Sequence, residues 1–253
     1  MVRGTYIAGT GMMLQRRRME NVTNNIANVD TTGFRKEFLV SHSFDAVMIQ
    51  RMNDTQAPGR SNMVGPLNLG TQIDQKFIDF RDGNLEHTGR RTDLALMGDA
   101  FFAIETADGE RYTRNGAFFI DNLGYLVTSD GDFVLSTAET PIVVGGPHFQ
   151  VDSFGNVFTE EGELIATLRV VSFEDNTSLR KQGDSLFFSL EDPVDLPNEF
   201  RMMQGYLEGS NVDVTRAMVD MLTVFRAYET NQRILSMIDE TVGMAVNQIG
   251  SLR

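Results

Sequence analysis

Few residues of this chain have the types and spacing that catalysis or metal binding needs. The three histidines, His42, His87 and His148, lie far apart along the sequence, whereas the ligands of a metal site usually cluster. The chain has no cysteine, which excludes a disulfide framework, a thiolate metal site and a cysteine nucleophile. The sequence therefore predicts no metal site and no bound cofactor.

Carboxylate pairs are the remaining candidates for acid–base catalysis. Glu160 with Glu161, or Asp130 with Asp132, could serve a glycosidase, which needs two carboxyl groups beside the scissile bond. Both pairs adjoin a glycine in a chain of 35 acidic residues, so turn formation is the favoured interpretation. Gly9-Thr10-Gly11 lacks the third glycine and the preceding strand of a dinucleotide-binding loop. We expect no catalytic residues and no enzymatic activity.

The charge of the chain argues against one large class of partner. Its 35 acidic residues against 22 Lys and Arg give a net charge of −13, whereas a general nucleic-acid binder needs a basic surface. Residues 1–14 lack the order of a cleaved signal peptide, a basic segment followed by about 7–15 apolar residues. No stretch approaches the roughly 18 apolar residues of a membrane span. We expect no nucleic-acid partner, no membrane insertion and no export by a cleaved signal peptide.

The C-terminal end has the heptad pattern of a long helix. Apolar residues recur at every seventh position and again three positions later, as in the seam along which one helix packs on another. Ser210 with Asp213 resembles a capping box at the start of this helix. Asn231 is the polar exception, and such a residue can fix the register of paired helices. The seam residues are Val214, Ala217, Met221, Val224, Tyr228, Asn231, Leu235, Ile238, Val242, Ala245, Ile249 and Leu252.

The N-terminal end carries a weaker version of the same pattern. Its seam stops at Asp30-Thr31-Thr32-Gly33, where glycine can adopt the left-handed conformation that ends a helix. Residues 1–36 hold six Lys and Arg against two acids, and residues 206–253 hold four Arg against six acids. Opposite charges favour pairing of the two ends, within one chain or between chains. The seam residues are Thr5, Ala8, Met12, Gln15, Met19, Val22, Ile26 and Val29.

The predicted C-terminal helix is longer than a small domain is wide. About 40 residues span about 60 Å at 1.5 Å per residue, so the seam cannot all lie on one β domain. We therefore expect both ends to be assembly elements. Arg16-Arg17-Arg18 lies between seam positions, and it fits either a solvated face or an interhelical contact with acids such as Asp220 or Glu229.

The middle of the chain is predicted to be a β domain. Apolar runs such as Phe101–Ile104 and residues 164–173 have strand character, and Asp108-Gly109 and Asn115-Gly116 are turn signals. Residues 51–66 are predicted to form a flexible connection. An internal echo predicts two copies of one hairpin-like unit. Asp121, Gly124, Val127, Thr128, Gly131 and Phe133 recur 31 residues later as Asp152, Gly155, Phe158, Thr159, Gly162 and Leu164.

Three blocks of the sequence resemble the bacterial flagellar rod and hook proteins. The first is Asn24-Asn25-Ile26-Ala27-Asn28-Val29-Asp30-Thr31-Thr32-Gly33-Phe34-Arg35. The second comprises Asp93-Leu94-Ala95-Leu96, Phe101-Phe102 and Tyr112-Thr113-Arg114-Asn115-Gly116. The third is Gln204-Gly205-Tyr206-Leu207-Glu208-Gly209-Ser210-Asn211-Val212, followed by Arg226-Ala227-Tyr228-Glu229-Thr230-Asn231. The blocks occur in the family's order and together cover nearly the whole chain.

The resemblance implies an α+β fold. A central, mostly antiparallel β domain is expected between long N- and C-terminal helices that pair in a coiled-coil-like layer. The expected domains are a helical assembly domain of residues 1–36 and 206–253, an extended connection over 37–69 and a β-rich outer domain over 70–205. The expected assembly residues are Met12, Met19, Val22, Asn24, Asn25, Ile26, Asn28, Gly33 and Phe34 near the N-terminus, and Ser210, Asn211, Val214, Met221, Val224, Tyr228, Asn231, Leu235, Ile238 and Val242 near the C-terminus.

The resemblance also implies a structural axial subunit of the flagellar basal body. Such a subunit leaves the cytoplasm through the flagellar type III export apparatus and polymerises helically into the rod that carries motor torque across the periplasm. Its expected partners are copies of itself and other rod and hook proteins. The proximal rod protein is favoured over the distal rod protein, and hook protein is the least favoured of the three. A soluble export-associated adaptor and a wall-directed hydrolase remain alternatives from other functional classes.

Overall fold

The computed structural model describes residues 2–50, 63–183, 185–189, 191–195 and 200–250. It contains one long helix near each end of the chain, a series of short strands between them and a single 3-10 turn at Asn176–Ser178 within the described residues. The strand pairs of the main sheet, of the three-stranded sheet and of three two-stranded ribbons are antiparallel, so the expected α+β class with a mostly antiparallel β domain is confirmed. The elements are α1 Val2–Ala27, β1 Glu37–Ser43, β2 Val47–Gln50, β3 Met63–Leu67, β4 Thr71–Ile78, β5 Leu85–His87, β6 Leu94–Met97, β7 Phe101–Thr106, β8 Gly109–Thr113, β9 Phe119–Ile120, β10 Leu126–Val127, β11 Phe133–Val134, β12 Phe149–Val151, β13 Asn156–Thr159, β14 Leu164–Thr167, β15 Val170–Ser172, β16 Arg180–Gln182, β17 Leu186–Phe188, β18 Val194–Asp195, β19 Arg201–Gln204, β20 Tyr206–Glu208 and α2 Val214–Gly250.

The chain divides into two compact units. Unit 1 consists of residues 1–24, 37–77 and 215–253, and unit 2 consists of residues 25–36 and 78–214. Unit 1 therefore holds most of both helices together with β1 to β4. The divisions between the units fall after residues 24, 36, 77 and 214. The expected domain boundaries after residues 36, 69 and 205 stay predictions.

In unit 1 the first strands form two ribbons beside α1. β1 pairs with β4, and β2 pairs with β3. The Arg18 guanidinium donates to the Ser41 hydroxyl at 3.0 Å, which ties β1 to the helix. The predicted flexible connection over 51–66 is wrong at its end, because Met63–Leu67 is a strand with its own ladder; residues 51–62 lie outside the described residues.

The predicted heptad of α2 coincides with its least exposed face. Each seam position from Val214 to Ala245 is buried or half-buried, whereas large apolar side chains on other faces are exposed. The side chains of Ile249 and Leu252 lie outside the described part of the chain. In α1 only Ala8 of the predicted seam is fully buried, and the other buried side chains of this helix include Leu14 and Asn21.

Two predicted helix boundaries are wrong. α1 ends at Ala27, well before Gly33, so this glycine does not cap the helix although its φ of 67° is left-handed. α2 begins at Val214, and the Ser210 hydroxyl instead accepts a hydrogen bond from the Val212 N–H at 3.3 Å. Ser210 is therefore part of the approach to the helix and does not form the expected capping box.

Unit 2 is organised around strand β7. Phe102 and Ile104 belong to one buried cluster, whereas Phe101 and Ala103 belong to a second. Alternate residues of a strand point to opposite faces, so this uninterrupted apolar run follows from burial on both faces. The main sheet has the order β16-β17-β8-β7-β11-β10-β9, and β15 pairs with both β7 and β18.

The apolar run over 164–173 is two strands and not one. β14 pairs with β13 in a three-stranded sheet, and β15 pairs with β7 in the main sheet. Between them the Leu168 N–H donates to the Gly155 carbonyl at 2.8 Å, and the Arg169 N–H donates to the Leu135 carbonyl at 2.9 Å. The chain thus changes sheets at these two residues, which hydrophobicity alone does not reveal.

The internal echo corresponds to two equivalent hairpin units. The Asp121 carboxylate accepts from the N–H groups of Leu123 and Tyr125 at 2.9 and 2.8 Å. The Asp152 carboxylate accepts from the N–H groups of Phe154 and Asn156, both at 2.9 Å. In the following turns the hydroxyls of Thr128 and Thr159 each accept a backbone N–H at 3.1 Å. The same hydrogen bonds thus recur in both copies.

Within the described residues, neither helix combines the length and the apolar character that crossing a bilayer requires.

Candidate functional site

A buried cluster of charges joins distant segments of unit 2. Arg35 follows the turn after α1, Asp82 lies between β4 and β5, Arg114 follows β8, and Glu208 ends β20. We call these four residues the polar junction. The side chains of Arg35, Arg114 and Glu208 are 0%, 1% and 1% exposed, whereas that of Asp82 is 48% exposed. Such burial is unusual for charged groups and requires partners of opposite sign.

Each carboxylate of the polar junction contacts both arginines. Glu208 Oε1 lies 2.8 Å from Arg35 Nη1, and Glu208 Oε2 lies 3.6 Å from Arg114 Nη1. Asp82 Oδ1 lies 3.3 Å from Arg35 Nη2 and 3.5 Å from Arg114 Nη2. Two positive and two negative groups therefore compensate one another inside the unit.

Backbone groups add further hydrogen bonds to the polar junction. Arg35 Nη1 donates to the Arg81 carbonyl at 2.6 Å, and Arg114 Nη2 donates to the Gly98 carbonyl. The Gly83 N–H donates to Glu208 Oε1 at 2.9 Å. These bonds attach the ion pairs to fixed backbone, which favours one arrangement of the segments.

Burial opposes the charge on Arg114. Desolvation, followed by repulsion from Arg35, lowers the pKa of Arg114 to about 10, and attraction to Glu208 and Asp82 acts in the other direction. The guanidinium remains protonated at neutral pH because this pKa lies well above 7. The charge on Arg114 is therefore stabilised by Glu208 and Asp82. Because burying these charges is costly, the ion pairs fix the arrangement of the segments more than they add to net stability.

Gly33 lets the N-terminal segment approach the polar junction closely. Its N–H donates to the Glu208 carbonyl at 2.8 Å. Its φ is 67°, and a Cβ at this position would overlap the peptide group between Arg114 and Asn115. Only glycine combines this left-handed conformation with so close a contact. The sequence signal at Gly33 was correct, but its role is docking and not helix termination.

Asn211 connects the segment after Gly33 to the strand region before Asp82. Its Oδ1 accepts from the Lys36 N–H at 2.7 Å. Its Nδ2 donates to the carbonyls of Asp79 and Arg81 at 2.7 and 2.9 Å. One amide thus bonds to both segments, which are also joined directly by the Asp79 N–H donating to the Lys36 carbonyl at 2.8 Å.

Phe34 is the apolar anchor of the N-terminal segment. Its side chain is buried, and the Lys181 ammonium lies 3.6 Å from the ring centroid. A cation over an aromatic face is favourable, more so when water is excluded. Beside it the Thr32 hydroxyl donates to Asn115 Oδ1 at 2.6 Å. Residues 32–36 are therefore held by polar contacts on both sides of one buried ring.

The structure brings together only some of the predicted assembly residues. Gly33, Phe34 and Asn211 meet around the polar junction in unit 2. Asn25 is buried, Asn28 is half-buried and Asn24 is exposed. The remaining predicted residues lie along the helices and are half-buried: Met12, Met19, Val22 and Ile26 in α1, and Val214, Met221, Val224, Tyr228, Asn231, Leu235, Ile238 and Val242 in α2, with Ser210 just before α2.

The two helices touch within unit 1 at positions seven residues apart. A Cβ added to Gly11 would lie 2.9 Å from Asn231 Nδ2, and one added to Gly4 would lie 3.0 Å from Ile238 Cδ1. The order is reversed between the helices, so α1 and α2 run antiparallel at these contacts. Glycines on α1 thus face seam residues of α2, and the seam of α1 predicted from apolar residues alone omits them.

The four charged residues of the polar junction were not predicted as a site. Each falls inside a sequence run that is otherwise rich in glycine, aromatic or small residues, namely 33–35, 80–85, 112–116 and 204–212. Opposite charges within such runs are a usable signal for a buried ion pair. Their pairing could not be inferred from local spacing.

Comparison with known proteins matches three of these four runs to one family, and the run over 80–85 lies outside the matched regions. The profile "Flagella basal body rod protein" matches residues 6–35, "Flagellar hook protein FlgE/F/G D1 domain" matches residues 95–159, and "Flagellar basal body rod FlgEFG protein C-terminal" matches residues 203–249. The chain is 31% identical over 272 residues to the flagellar hook-basal body complex protein FlhO of Bacillus subtilis (strain 168), covering 100% of both chains. The chain belongs to the flagellar basal-body rod FlgEFG family.

Other relatives in this family carry rod-protein names. The chain is 33% identical over 255 residues to the flagellar basal-body rod protein FlgG of Agrobacterium fabrum, covering 94% of this chain and 96% of the relative. It is 28% identical over 249 residues to the rod protein FlgF of Caulobacter vibrioides, covering 98% of each.

The three matched regions of the FlgEFG family meet at the polar junction. Arg35 closes the first region, Arg114 lies in the second, and Glu208 lies in the third. Asp82, the most exposed member, lies in none of them. At the junction, side chains from the N-terminal, β-domain and C-terminal matched regions therefore contact one another.

Proposed function

We propose that this chain is a structural axial subunit of the bacterial flagellar basal-body rod. It polymerises helically into the drive shaft that transmits motor torque across the periplasm to the hook. The observation that carries this proposal is the polar junction, in which four distant segments are held by compensated charges, three of which are buried. We expect such a cluster to hold the segments in one arrangement under load. The subunit acts without catalysis or cofactor.

The terminal helices are proposed to form a paired, coiled-coil-like inner layer. Two contacts support this pairing, Gly11 with Asn231 and Gly4 with Ile238. Contacts spaced by seven residues on both helices are those of a heptad seam. The proposed role of Asn231 is to fix the register, and its position against Gly11 supports this role.

A second copy of the chain is the proposed partner of the outer helix faces. On α2, Met218, Leu222 and Phe225 form an exposed apolar stripe at the i, i+4, i+7 spacing of a packing face. On α1, Tyr6 and Met13 are exposed seven residues apart. The α1 stripe leads towards the basic residues 16–18, and the α2 stripe leads towards Glu229. Two different, complementary faces are what a helical, non-closing polymer requires.

The position within the flagellum is proposed from the relatives. Full-length similarity to proteins named FlgG and FlgF supports a rod position. Within the rod we propose the proximal position first and the distal position next. The other proposed partners are neighbouring rod and hook proteins and the flagellar type III export apparatus.

The test is to locate the chain in basal bodies. An epitope-tagged chain replaces the untagged one in the bacterium that encodes it, and purified basal bodies are examined by immunogold electron microscopy. Label along the rod is expected, and its distance from the inner-membrane end separates proximal from distal positions. Unlabelled rods, together with a soluble complex of fixed stoichiometry, would overturn the proposal and favour an adaptor.

A further inference from the structure

The single Asn-Gly dipeptide of the chain, Asn115-Gly116, lies directly beneath the N-terminal segment. An asparagine followed by glycine is the sequence most prone to deamidation, because glycine has no side chain to hinder attack by its own backbone nitrogen. The reaction requires the Asn115 amide carbon to approach the nitrogen of Gly116. Whether this dipeptide reacts therefore depends on how freely both residues can rotate.

The side chain of Asn115 is held away from the reactive geometry. Its Oδ1 accepts from the Thr32 hydroxyl at 2.6 Å and from the Ala117 N–H at 3.1 Å. Rotation of the amide towards Gly116 would break both hydrogen bonds. The shorter one comes from Thr32, which belongs to the segment that follows α1.

The backbone around the dipeptide is held as well. The Gly116 carbonyl accepts from the N–H groups of Leu94 and Phe118, both at 3.0 Å. Gly33 lies so close to the peptide group between Arg114 and Asn115 that a Cβ there would overlap it. The backbone of Asn115 therefore cannot rotate unless Gly33 moves first.

We propose that Asn115 is a deamidation site and that the docked segment Thr32–Gly33 prevents its reaction. When the segment leaves, the Gly116 nitrogen forms a bond to Cγ of Asn115 while the bond from Cγ to Nδ2 breaks. Nδ2 takes up the proton lost by the Gly116 nitrogen and leaves as ammonia. Water then opens the cyclic imide to aspartate or isoaspartate.

The product opposes renewed docking. Isoaspartate inserts one more backbone carbon between residues 115 and 116, at the point where Gly33 needs close contact. Either product also adds a negative charge beside the polar junction. The reaction thus occurs in chains whose N-terminal segment is undocked, and it modifies these chains permanently. This inference does not depend on the proposed role in assembly.

The experiment compares full-length chains at mildly alkaline pH. Deamidation of Asn115 is followed by peptide mapping and mass spectrometry in the wild type, in Thr32→Val, which loses the hydroxyl, and in Thr32→Ser, which keeps it. Loss of one hydrogen bond should raise the undocked population, and hence the rate, about fivefold in Thr32→Val. Thr32→Ser should react at the wild-type rate.

A second comparison does not depend on any variant. The wild-type chain unfolded in urea gives the rate of the unprotected dipeptide, and the folded chain should react far more slowly. The proposal is overturned if the folded chain reacts as fast as the unfolded one, or if Thr32→Val and Thr32→Ser react at equal rates while circular dichroism shows both to be folded.

Discussion

At the scale of single residues, the polar junction places two arginines where water cannot solvate them. Arg35 and Arg114 repel each other, and only Glu208 is as deeply buried as they are. Asp82 reaches the cluster from a half-exposed position, so water already screens part of its charge. The two carboxylates therefore differ in what their loss would cost, although each contacts both arginines.

This difference gives a prediction for Glu208→Gln. The substitution keeps the shape but leaves two buried guanidinium groups with one half-exposed carboxylate. Removing one partner of a buried ion pair typically destabilises a protein by about 3–5 kcal/mol. We expect a loss of this size in the free energy of unfolding, measured by urea titration of the monomeric chain. Asp82→Asn should cost only about 0–1 kcal/mol.

Glu174→Gln is the matched control, because Glu174 is exposed and lies outside the junction. It should change the free energy of unfolding by no more than about 0.5 kcal/mol. If Glu208→Gln were no more destabilising than this control, the junction would not hold the four segments together.

At the scale of elements, what the sequence predicts depends on how local the determining interactions are. The heptad pattern of α2 lies within one continuous segment of the sequence, and the predicted seam coincides with the least exposed face of the helix. The tight turns at Asp108-Gly109 and Asp130-Gly131 were predicted correctly for the same reason. Each of these features needs only a few neighbouring residues.

Contacts between residues that are distant in the sequence could not be predicted from local patterns. Arg35 and Glu208 lie near opposite ends of the chain, and no spacing rule connects them. The run over 164–173 was read as one strand because hydrophobicity does not show that Leu168 and Arg169 bond to different neighbours. The packing face of α1 was only partly predicted, because glycines at contact points carry no hydrophobic signal.

Two glycines of α1 provide a prediction at this scale. A Cβ at Gly9 meets nothing within 4 Å, whereas one at Gly11 would lie 2.9 Å from Asn231 Nδ2. Alanine in place of a helical glycine stabilises by about 1 kcal/mol where space allows. We therefore expect Gly9→Ala to raise the free energy of unfolding by this amount, and Gly11→Ala to raise it less or to lower it.

A double-mutant cycle separates crowding from helix propensity. In an Asn231→Ala background the obstacle is gone, so Gly11→Ala should become as favourable as Gly9→Ala when unfolding is followed by circular dichroism. Equal effects of the two glycine substitutions in the wild-type background would show that α1 and α2 do not touch at Asn231 in solution.

At the scale of the whole molecule, exposed apolar side chains occur in two settings. In unit 2, Leu123 is 76% exposed at the tip of a single turn. In α2, Leu222 is 59% exposed and lies between Met218 and Phe225 on one face. A lone exposed leucine is ordinary on a protein surface, whereas a continuous stripe on a long helix indicates a partner.

This contrast leads to a prediction about assembly. Leu222→Asp places a charge in the middle of the stripe and should prevent polymer formation, because burying an unpaired carboxylate in a helix interface is costly. Leu123→Asp removes a more exposed leucine and should leave polymerisation unchanged. Neither substitution should alter monomer stability by more than about 0.5 kcal/mol, since both sites are exposed. Sedimentation velocity over increasing protein concentration, with electron microscopy of the pellets, measures the difference.

Polymers of normal form from Leu222→Asp would show that the stripe has some role other than contact between copies. Loss of polymers in both variants would indicate that contacts of the β domain are a second requirement of the same assembly.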